Sequence, residues 1–338
     1  MQKTFSFPAA FEKSISDALC SYKLTLQDSQ ALAKCVQTLS DFFIAKPDAP
    51  TPWHERWAQI AYLCYYLPVN SARLSGLIHE ADARQFFQDL EHVIDFGAGL
   101  ATASMTLHER HPLAFQLIER AAEPQQLIEK YFPQFKAQEW LRTFSASRLS
   151  KDKKTLALFS YSLTELSDLP DWAYQCEALM LVEPATQQDG RKLLQLRQKL
   201  IDSGFHIWAP CTHEGPCPLL TQSKTDWCHD RIHFTSPQWF LNMETHLPMK
   251  NRTLTASYVL ARKTAPAALK AARTVGDRLR EKGKDRQMIC RGPEREFLAW
   301  MHKTGIQQEI PRGVLIELPD ELQKVSNELR LAQEIKLL

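Results

Sequence analysis

The feature that most constrains this fold is an alternation, from about residue 91 onward, of short apolar runs with segments of helical periodicity. Helices between successive apolar strands are typical of a mostly parallel sheet that is covered on both faces. We therefore predict an α/β fold for this part of the chain. The predicted strands are HVIDFGAG, AFQLIER, TLALFSYSL, EALMLVEP, FHIWAP and ASYVLARK, and helices are predicted after Thr102, Pro124, Leu169 and Gln187.

The first 85 residues have a different pattern, in which apolar residues recur three and four positions apart. This spacing predicts amphipathic helices. Five regions follow from these patterns. They are an N-terminal helical region (1–85), a sheet core (86–210), a cysteine-rich metal loop (211–250), a last core strand (251–263) and a basic C-terminal extension (264–338).

Composition places the chain among ordinary globular proteins. Its 338 residues are 44% apolar and 24% charged, which is enough to build a substantial core. The longest apolar stretch, residues 60–69, is half the length of a bilayer crossing and contains Pro68. No secretory signal or transit peptide is visible at the N-terminus, so we expect a cytoplasmic protein that contacts no membrane.

The segment LEHVIDFGAGLATA, residues 90–103, forms a candidate cofactor loop. Gly97 and Gly99 allow the backbone to turn sharply and approach a ligand, and the helix that follows presents free N–H groups. Asp95 stands two residues before the first glycine, which is typical of S-adenosylmethionine enzymes. Dinucleotide enzymes carry a third glycine, which is Ala101 or Thr102 here. The alternative interpretation of residues 90–103 is an ordinary turn that binds no ligand.

Glu119 ends the next predicted strand, where a carboxylate can accept hydrogen bonds from both ribose hydroxyls of a nucleoside. The alternative is that Glu119 has only a structural role, as an acid in the N-cap region of the next helix. Glycine loop and acid together favour S-adenosylmethionine over NAD. The segment SYSLTEL, residues 160–166, lacks the N-P-P-Y or D-P-P-Y signature of amino-group methylation. The catalytic residues are therefore unknown at this stage.

Three cysteines, Cys211, Cys217 and Cys228, lie within eighteen residues of one proline-rich loop. This arrangement is hard to explain by core packing and indicates a bound metal, for which a closed site needs a fourth ligand. We prefer Cys290, because polar residues surround it in the sequence. Four thiolates suit zinc as well as an iron–sulfur cluster, so the spacing of the cysteines does not decide which metal is bound. The other candidate ligands are His213, His229 and His233.

The other four of the eight cysteines are predicted to be core residues. Structural disulfides are not expected in the cytoplasm, and a free thiol packs as a small apolar group. Cys20, Cys35 and Cys64 fall on apolar faces of predicted helices, and Cys176 lies in a further predicted helix.

Charge is distributed unevenly along a chain whose formal net charge is only +2. Residues 262–295 contain eleven Lys and Arg against four acids, so the rest of the chain is net negative. Such a stretch indicates a polyanion-binding surface, with a solvated basic helix as the alternative. Few aromatic residues are interleaved, which favours contacts with a nucleic-acid backbone over base stacking. The predicted contacts are Arg278, Arg280 and Lys282.

Several motifs occur in one order: VIDFGAGLATA, SYSLTEL, LVEPAT, APCTHEGPCPL, DWCH and SYVLAR. Over roughly residues 60–300 the chain thereby resembles the Rsm-type, methyltransferase-like family associated with the small subunit of the mitochondrial ribosome and its bacterial relatives. The resemblance implies a class I S-adenosylmethionine methyltransferase-like, Rossmann-like sheet and a role in small-subunit assembly through rRNA binding. It also implies a 4Fe-4S cluster held by Cys211, Cys217, Cys228 and Cys290.

Two compatible functions are predicted. The first is an rRNA-binding factor for assembly of the small ribosomal subunit, with a structural 4Fe-4S cluster. The second is an active S-adenosylmethionine-dependent RNA methyltransferase with a structural metal site. A redox enzyme is less favoured, because the sequence shows neither a second cofactor motif nor an open ligand position.

Overall fold

The computed structural model describes residues 4–46, 49–137, 139–150, 152–251, 253–306, 308–319 and 322–338. A π-helical turn, Tyr62–Tyr66, joins α3 to α4. The helices are α1 (Ala9–Ser21), α2 (Ser29–Ala45), α3 (Arg56–Ala61), α4 (Leu67–Ala83), α5 (Thr102–His108), α6 (Glu123–Tyr131), α7 (Gln187–Asp202), α8 (Pro218–Thr221) and α9 (Gln238–Glu244). Among the described residues, no helix is both long enough and apolar enough to cross a membrane.

The first sheet contains β1 (Thr4–Ser6), β2 (His92–Phe96), β3 (Ala114–Ile118), β4 (Glu139–Leu141), β5 (Thr155–Ser160), β6 (Ala178–Glu183), β7 (His206–Ala209), β8 (Asp230–Thr235) and β9 (Thr253–Arg262). Its order is β4-β3-β2-β5-β6-β9, with β2 to β6 parallel and β9 reversed. The far edge of β9 pairs with β7 and, nearer its start, with β8. β1 adds to β8 in parallel.

Helices and turns cover both faces of this sheet, as the predicted α/β fold requires. Alternate residues of β5 enter different cores: Leu158 packs with the N-terminal helices, and Phe159 packs on the side of α7. β6 is buried along its whole length, which is why the central strands are continuous apolar runs in the sequence.

The predicted strands correspond to β2, β3, β5, β6, β7 and β9, and three of the predicted helices are α5, α6 and α7. The helix predicted after Leu169 is wrong, because this segment forms only one 3-10 turn, Ala173–Gln175. Buried Leu169, Trp172 and Cys176 mimic helical spacing over a stretch too short for a helix. β1, β4 and β8 were not predicted.

The cysteines assigned to the core divide differently from the prediction. Cys64 and Cys176 are buried and Cys35 is half-buried, but Cys20 is exposed, so its assignment is wrong. The buried stripe of α1 includes Ala18 and Leu19. Cys20 follows directly and lies about 100° further round the helix, beyond the stripe.

The C-terminal part is a β domain, where the sequence analysis expected a basic extension or a basic helix. Its strands are β10 (Ala272–Thr274), β11 (Leu279–Glu281), β12 (Lys284–Cys290), β13 (Glu296–Met301), β14 (Leu315–Glu317), β15 (Gln323–Val325), β16 (Glu328–Leu331) and β17 (Lys336–Leu337). Buried Asp285, Gln287 and Ile289 alternate with half-buried neighbours along β12. This period of two identifies a strand, although charged residues obscure it in the sequence.

The strand pairing of this β domain resembles that of an OB-type Greek-key fold. β10, β12 and β13 form an antiparallel meander, β13 runs parallel to β16, and β14 returns antiparallel to β10. The domain has its own buried cluster, which includes Leu298, Trp300 and Ile316.

Arg273 fastens the β domain to the first sheet. Its guanidinium is fully buried and pairs with Glu80 of α4 and, at 3.2 Å, with Asp230 of β8. Nε donates to the carbonyl of Pro210 at 2.6 Å, and Nη1 donates to that of Gly313 at 2.7 Å. Arg273 belongs to the basic stretch of the sequence, but this burial makes it a structural cation.

Candidate cofactor pocket and cysteine cluster

A cavity of about 570 Å³ opens at the carboxyl ends of β2, β3 and β5. The predicted residues Asp95, Gly97, Gly99 and Glu119 all line it. Open α/β sheets bind ligands at this edge, where successive connections leave a strand in opposite directions. The structure therefore brings the four predicted cofactor residues to one concave site.

The glycine loop adopts a conformation that depends on its glycines. Gly97 has a φ of +71° and Gly99 a φ of +50°. A Cβ added to Gly97 would lie 2.6 Å from the Cβ of Ser162, so this position requires both the left-handed conformation and the missing side chain. Ala101 stands where a third glycine was sought and also has a positive φ, +51°.

Glu119 fixes the glycine loop as well as lining the cavity. Its Oε2 accepts a hydrogen bond from the backbone N–H of Gly99 at 2.9 Å, and Oε1 accepts one from Ala121 at 2.9 Å. Both of these N–H donors precede α6, which argues against a helix-capping role for this acid. A carboxylate has about four acceptor positions, so Glu119 can still accept from ribose hydroxyls.

Asp95 lies beneath the glycine loop and is almost fully buried. Ser104 of α5 donates a hydrogen bond to its Oδ2 at 2.6 Å. Burial raises the pKa of Asp95 to about 7, and the hydrogen bonds from Ser104 only partly oppose this shift. Ser104 was not predicted from the sequence, because its contact with Asp95 forms only when α5 folds back on β2.

Two buried polar atoms of cavity-lining residues, Oδ1 of Asp95 and Oγ of Ser162, have no partner in the described part of the chain. The buried hydroxyl of Tyr161, which also lines the cavity, interacts with Arg73. Buried polar groups normally have hydrogen-bond partners, so the two unpartnered atoms indicate a missing ligand or water. Their chemistry fits a polar nucleoside cofactor.

The loop that carries Tyr161 and Ser162 is held from below. Tyr161 has a φ of +60°, which is rare for an aromatic residue and is found at strained functional sites. Buried Glu183, at the end of β6, accepts a hydrogen bond from the N–H of Leu163 at 2.9 Å. Burial raises the pKa of Glu183 to about 8. Tyr161 and Glu183 were not predicted as site residues, although they lie in the motifs SYSLTEL and LVEPAT.

Aromatic residues of the N-terminal region form another wall of the cavity. Trp53 and Tyr62 line it, with ring centroids 4.4 Å apart. The N-terminal region thus contributes to the site. This contribution was not predicted, because helical periodicity shows which face of a helix is buried but not which part of the protein packs against that face.

The structure gathers the four candidate metal ligands from separate segments. Cys211 and Cys217 lie in the loop after β7, Cys228 precedes β8, and Cys290 ends β12. Burial raises the pKa of Cys217, Cys228 and Cys290, and the nearby Cys211 thiol raises each further. Within the described ranges, however, no three His, Cys, Asp or Glu side chains stand in metal-ligating geometry.

The histidines proposed as alternative ligands are distributed around the thiols. His213 is in contact with one thiol, with its Nε2 3.4 Å from Sγ of Cys290. His229 faces the β domain, where its Nδ1 lies 3.2 Å from Nη2 of Arg312. His233 lies further along β8.

Arg197 of α7 supports the cysteine loop and was missed by the sequence analysis. This guanidinium is fully buried, and it donates to the carbonyls of His213 at 2.6 Å and Gly215 at 3.0 Å. Its hydrogen bonds within the described residues go only to uncharged groups, and its Nε is unpartnered. A buried unpaired cation is costly, so anionic thiolates beside it fit the donor set of a metal site.

The predicted RNA contacts lie in two different settings. Arg278 is half-buried, with Nε 2.7 Å from Oδ2 of Asp285 and its guanidinium 5.6 Å from the centroid of the Trp300 ring. Arg280 and Lys282 are exposed on the hairpin of β11 and β12.

The strand order, with one reversed strand next to β6, and the glycine loop at the end of β2 define a methyltransferase-like α/β protein. This confirms the predicted fold class for the sheet core. Residues 56–301 match the family described as mitochondrial small ribosomal subunit Rsm22, and the chain belongs to this family. The predicted family resemblance is confirmed.

Several solved structures are similar to this chain at low identity. The plantazolicin methyltransferase BamL is 11% identical, covering 71% of this chain and 98% of that chain, with a TM-score of 0.37. The magnesium protoporphyrin IX methyltransferase ChlM from Synechocystis is 13% identical, covering 68% and 97%, with a TM-score of 0.34. A precorrin-6y C5,15-methyltransferase from Geobacter metallireducens is 13% identical, covering 55% and 86%, with a TM-score of 0.35. None of the curated protein sequences matches this chain.

Proposed function

We propose that this protein is a methyltransferase-like assembly factor that binds the rRNA of the small ribosomal subunit and carries a structural four-cysteine metal centre. The observation that carries the proposal is the convergence of four cysteines from the core and the β domain beside the buried Arg197. Family membership supports the small subunit as partner. The cytoplasmic location stays a prediction, since the family description refers to mitochondria.

The metal centre of this proposal is a 4Fe-4S cluster, with zinc as the alternative. Cys211, Cys217, Cys228 and Cys290 would hold it, and Arg197 would offset part of its negative charge. Bound metal supplies folding energy to the segments that it joins. Because Cys290 belongs to the β domain, such a centre would tie this domain to the core.

Metal analysis tests this centre directly. Protein purified without oxygen is expected to contain iron and sulfide and to show broad absorbance at about 400 nm. Cys290→Ser should lose this absorbance, while the matched variant Cys20→Ser, at an exposed position, should keep it. A colourless protein with one zinc and no iron would replace the cluster with a zinc site.

The rRNA-binding part of the proposal is supported by the exposed basic hairpin of the β domain. Replacing Arg278, Arg280 and Lys282 together with Gln is expected to lower RNA affinity and flatten its salt dependence, because phosphate contacts release counterions. Fluorescence anisotropy with labelled single-stranded RNA at several salt concentrations measures both quantities. An unchanged salt slope would identify the hairpin as a solvated surface.

A second function, S-adenosylmethionine-dependent RNA methylation, is favoured by the cavity of about 570 Å³. Glu119 would orient the ribose, and the N–H groups of the glycine loop would approach the amino-acid part of the cofactor. Asp95 would hold the loop from below through Ser104. When bound, the cofactor supplies a methyl group activated by a sulfonium.

Calorimetry with S-adenosylmethionine and S-adenosylhomocysteine tests the first step of this function. Wild-type protein is expected to bind, and Asp95→Ala is expected to bind at least about tenfold more weakly, because a buried acid supports the loop. Asp41→Ala, an exposed acid on α2, is the matched control. Absence of binding by the wild type, or equal binding by Asp95→Ala, would contradict the cofactor role.

A further inference from the structure

A cavity of about 430 Å³ lies where the β domain meets β8 and β9. Three arginines line it: Arg231 from β8, Arg278 from the segment between β10 and β11, and Arg312 from the segment before β14. We propose that this junction cleft binds a backbone phosphate of an RNA strand. The inference rests on the proposed rRNA binding and gives that binding a second, more enclosed contact.

Arg312 provides the main anion-binding group of the junction cleft. Its Nε donates to the carbonyl of His229 at 2.9 Å, and Nη2 approaches Nδ1 of His229 at 3.2 Å. In the described part of the chain, no carboxylate lies within ion-pair distance of this half-buried guanidinium, on which Cys228, Asp277 and Asp230 act only from further away. A partly desolvated cation without a carboxylate partner attracts an anion, and guanidinium geometry suits phosphate.

Arg312 is also held in place before a ligand arrives. The next residue, Gly313, has a φ of +81°, and a Cβ there would lie 2.5 Å from Oδ1 of Asp230. The N–H of Gly313 donates to the carbonyl of Thr274 at 2.8 Å, and its carbonyl accepts from Arg273. This backbone is therefore closely packed against β8 and β10, so little ordering is needed on binding.

The other two arginines are oriented by acids of the β domain. Arg231 makes a two-point contact with exposed Asp277, at 3.0 and 3.1 Å. Arg278 pairs with Asp285. Asp277 and Glu309 also line the cleft, where their negative charges oppose a phosphate. Neutralising Asp277 should therefore strengthen anion binding.

Continuity with the exposed hairpin favours an RNA strand over a small phosphate compound. Arg278 in the cleft is followed on β11 by Arg280, and Lys282 lies at the turn. One strand can thus contact the hairpin and place a phosphate in the cleft. The loop between the first two strands of an OB-type barrel commonly contacts nucleic acid. Trp300 is buried beneath Arg278, which favours backbone contact over stacking.

Binding of single-stranded RNA by the full chain tests the junction cleft. Arg312→Gln should weaken binding about tenfold near 0.1 M salt and reduce the salt slope by about 0.7, the value for one phosphate contact. Asp277→Asn should tighten binding about threefold, a gain that misfolding cannot produce. Lys34→Gln, an exposed residue of α2, is the control and should leave binding unchanged.

The outcomes separate this inference from the proposed function. If the wild type does not bind RNA, the rRNA-binding function fails and the cleft inference fails with it. If the wild type binds but Arg312→Gln and Asp277→Asn both behave like the control, only the cleft is overturned. Calorimetry that detects inorganic phosphate bound through Arg312, together with RNA binding by Arg312→Gln equal to that of the wild type, would identify a small-anion site and also overturn the inference. If Arg312→Gln does not fold, the response of Asp277→Asn decides alone.

Discussion

At the scale of single residues, two glycines with similar backbone conformations have different surroundings. Gly97 and Gly204 have φ values of +71° and +85°. A Cβ at Gly97 would meet Ser162 at 2.6 Å, whereas nothing lies within 4 Å of one at Gly204. Replacing each with Ala therefore separates backbone strain from steric conflict at the cofactor loop.

Gly97→Ala is expected to lower the free energy of unfolding by about 1–3 kcal/mol more than Gly204→Ala does, because overpacking adds to the cost of a positive φ. Urea unfolding measures both variants. Cofactor affinity should fall only in Gly97→Ala, as measured by calorimetry. Equal destabilisation by the two variants would show that Ser162 moves aside at no cost.

Asp95 carries a pH dependence whose sign follows from its burial. Its pKa in the folded protein is raised to about 7, so between pH 4 and pH 7 the folded state holds a proton that the unfolded state has released. Stability is then highest at low pH and falls as pH rises, by about 1.4 kcal/mol per pH unit for this one group.

Asp95→Asn removes the titrating proton while keeping the shape of the side chain. The free energy of unfolding of wild type relative to Asp95→Asn is expected to decrease as pH rises from 4.5 to 6.5. Urea unfolding at several pH values measures this difference, in which the contributions of other buried acids such as Glu183 cancel. A difference that is constant with pH would show that Asp95 is ionised throughout this range.

At the scale of elements, the strands of the first sheet could be predicted from their apolar pattern, whereas those of the β domain could not. β5 and β6 are continuous apolar runs because both faces of the central strands are buried. β12 and β13 belong to the smaller β domain and carry charges that pair across strands, as Lys284 does with Glu328. Such strands resemble polar surface segments in the sequence, which is why the β domain was described only as a basic extension.

The buried ion-pair cluster around Arg273 joins these elements and can be tested by substitution. Arg273→Leu leaves Glu80 and Asp230 without their main cation, and breaking a buried ion pair in this way costs about 3–5 kcal/mol. We expect a loss of that size in the free energy of unfolding, measured with urea. Arg280→Leu, at an exposed position, is the control and should change it by less than about 0.5 kcal/mol. Comparable losses would show that Arg273 contributes no more than a surface arginine.

At the scale of the whole molecule, the β domain and the core are joined at several places besides Arg273. Thr212 donates to the carbonyl of Cys290 at 3.0 Å, and Arg295 pairs with Asp226 at 2.8 Å. The proposed metal centre lies among these contacts. Its occupation would therefore influence the stability of the whole junction.

Loss of the metal is expected to lower the unfolding temperature by at least about 5 °C, since each kcal/mol corresponds to about 2 °C or less in a chain of this length. Scanning calorimetry of metal-loaded protein, chelated protein and Cys290→Ser measures the change. Trypsin should also cleave faster at exposed Lys263 and Lys270, in the connection between the domains, once the metal is removed. Cys20→Ser is the control. Equal unfolding temperatures with and without metal would remove the proposed structural role.

Local sequence patterns determined the glycine loop, the central strands and the grouping of three cysteines. Each of these depends on residues that are close in the chain: two glycines beside an acid, an apolar run of strand length, or thiols within one loop. The burial of Cys20 was predicted wrongly from the same kind of pattern. A shift of one residue moves a side chain off the apolar stripe of a helix.

Tertiary structure alone decided which residues complete the sites. Arg197 supports the cysteine loop through His213, and Glu183 holds the loop after β5 through Leu163. Arg312 lines the junction cleft together with Arg231 of a distant strand. It also decided that Arg273 is a buried structural cation while Arg280 is exposed. Periodicity reports only whether a face is buried. The partner on that face is selected by packing between distant segments, because burial of charge is tolerated only where the fold supplies a counter-charge or hydrogen bonds.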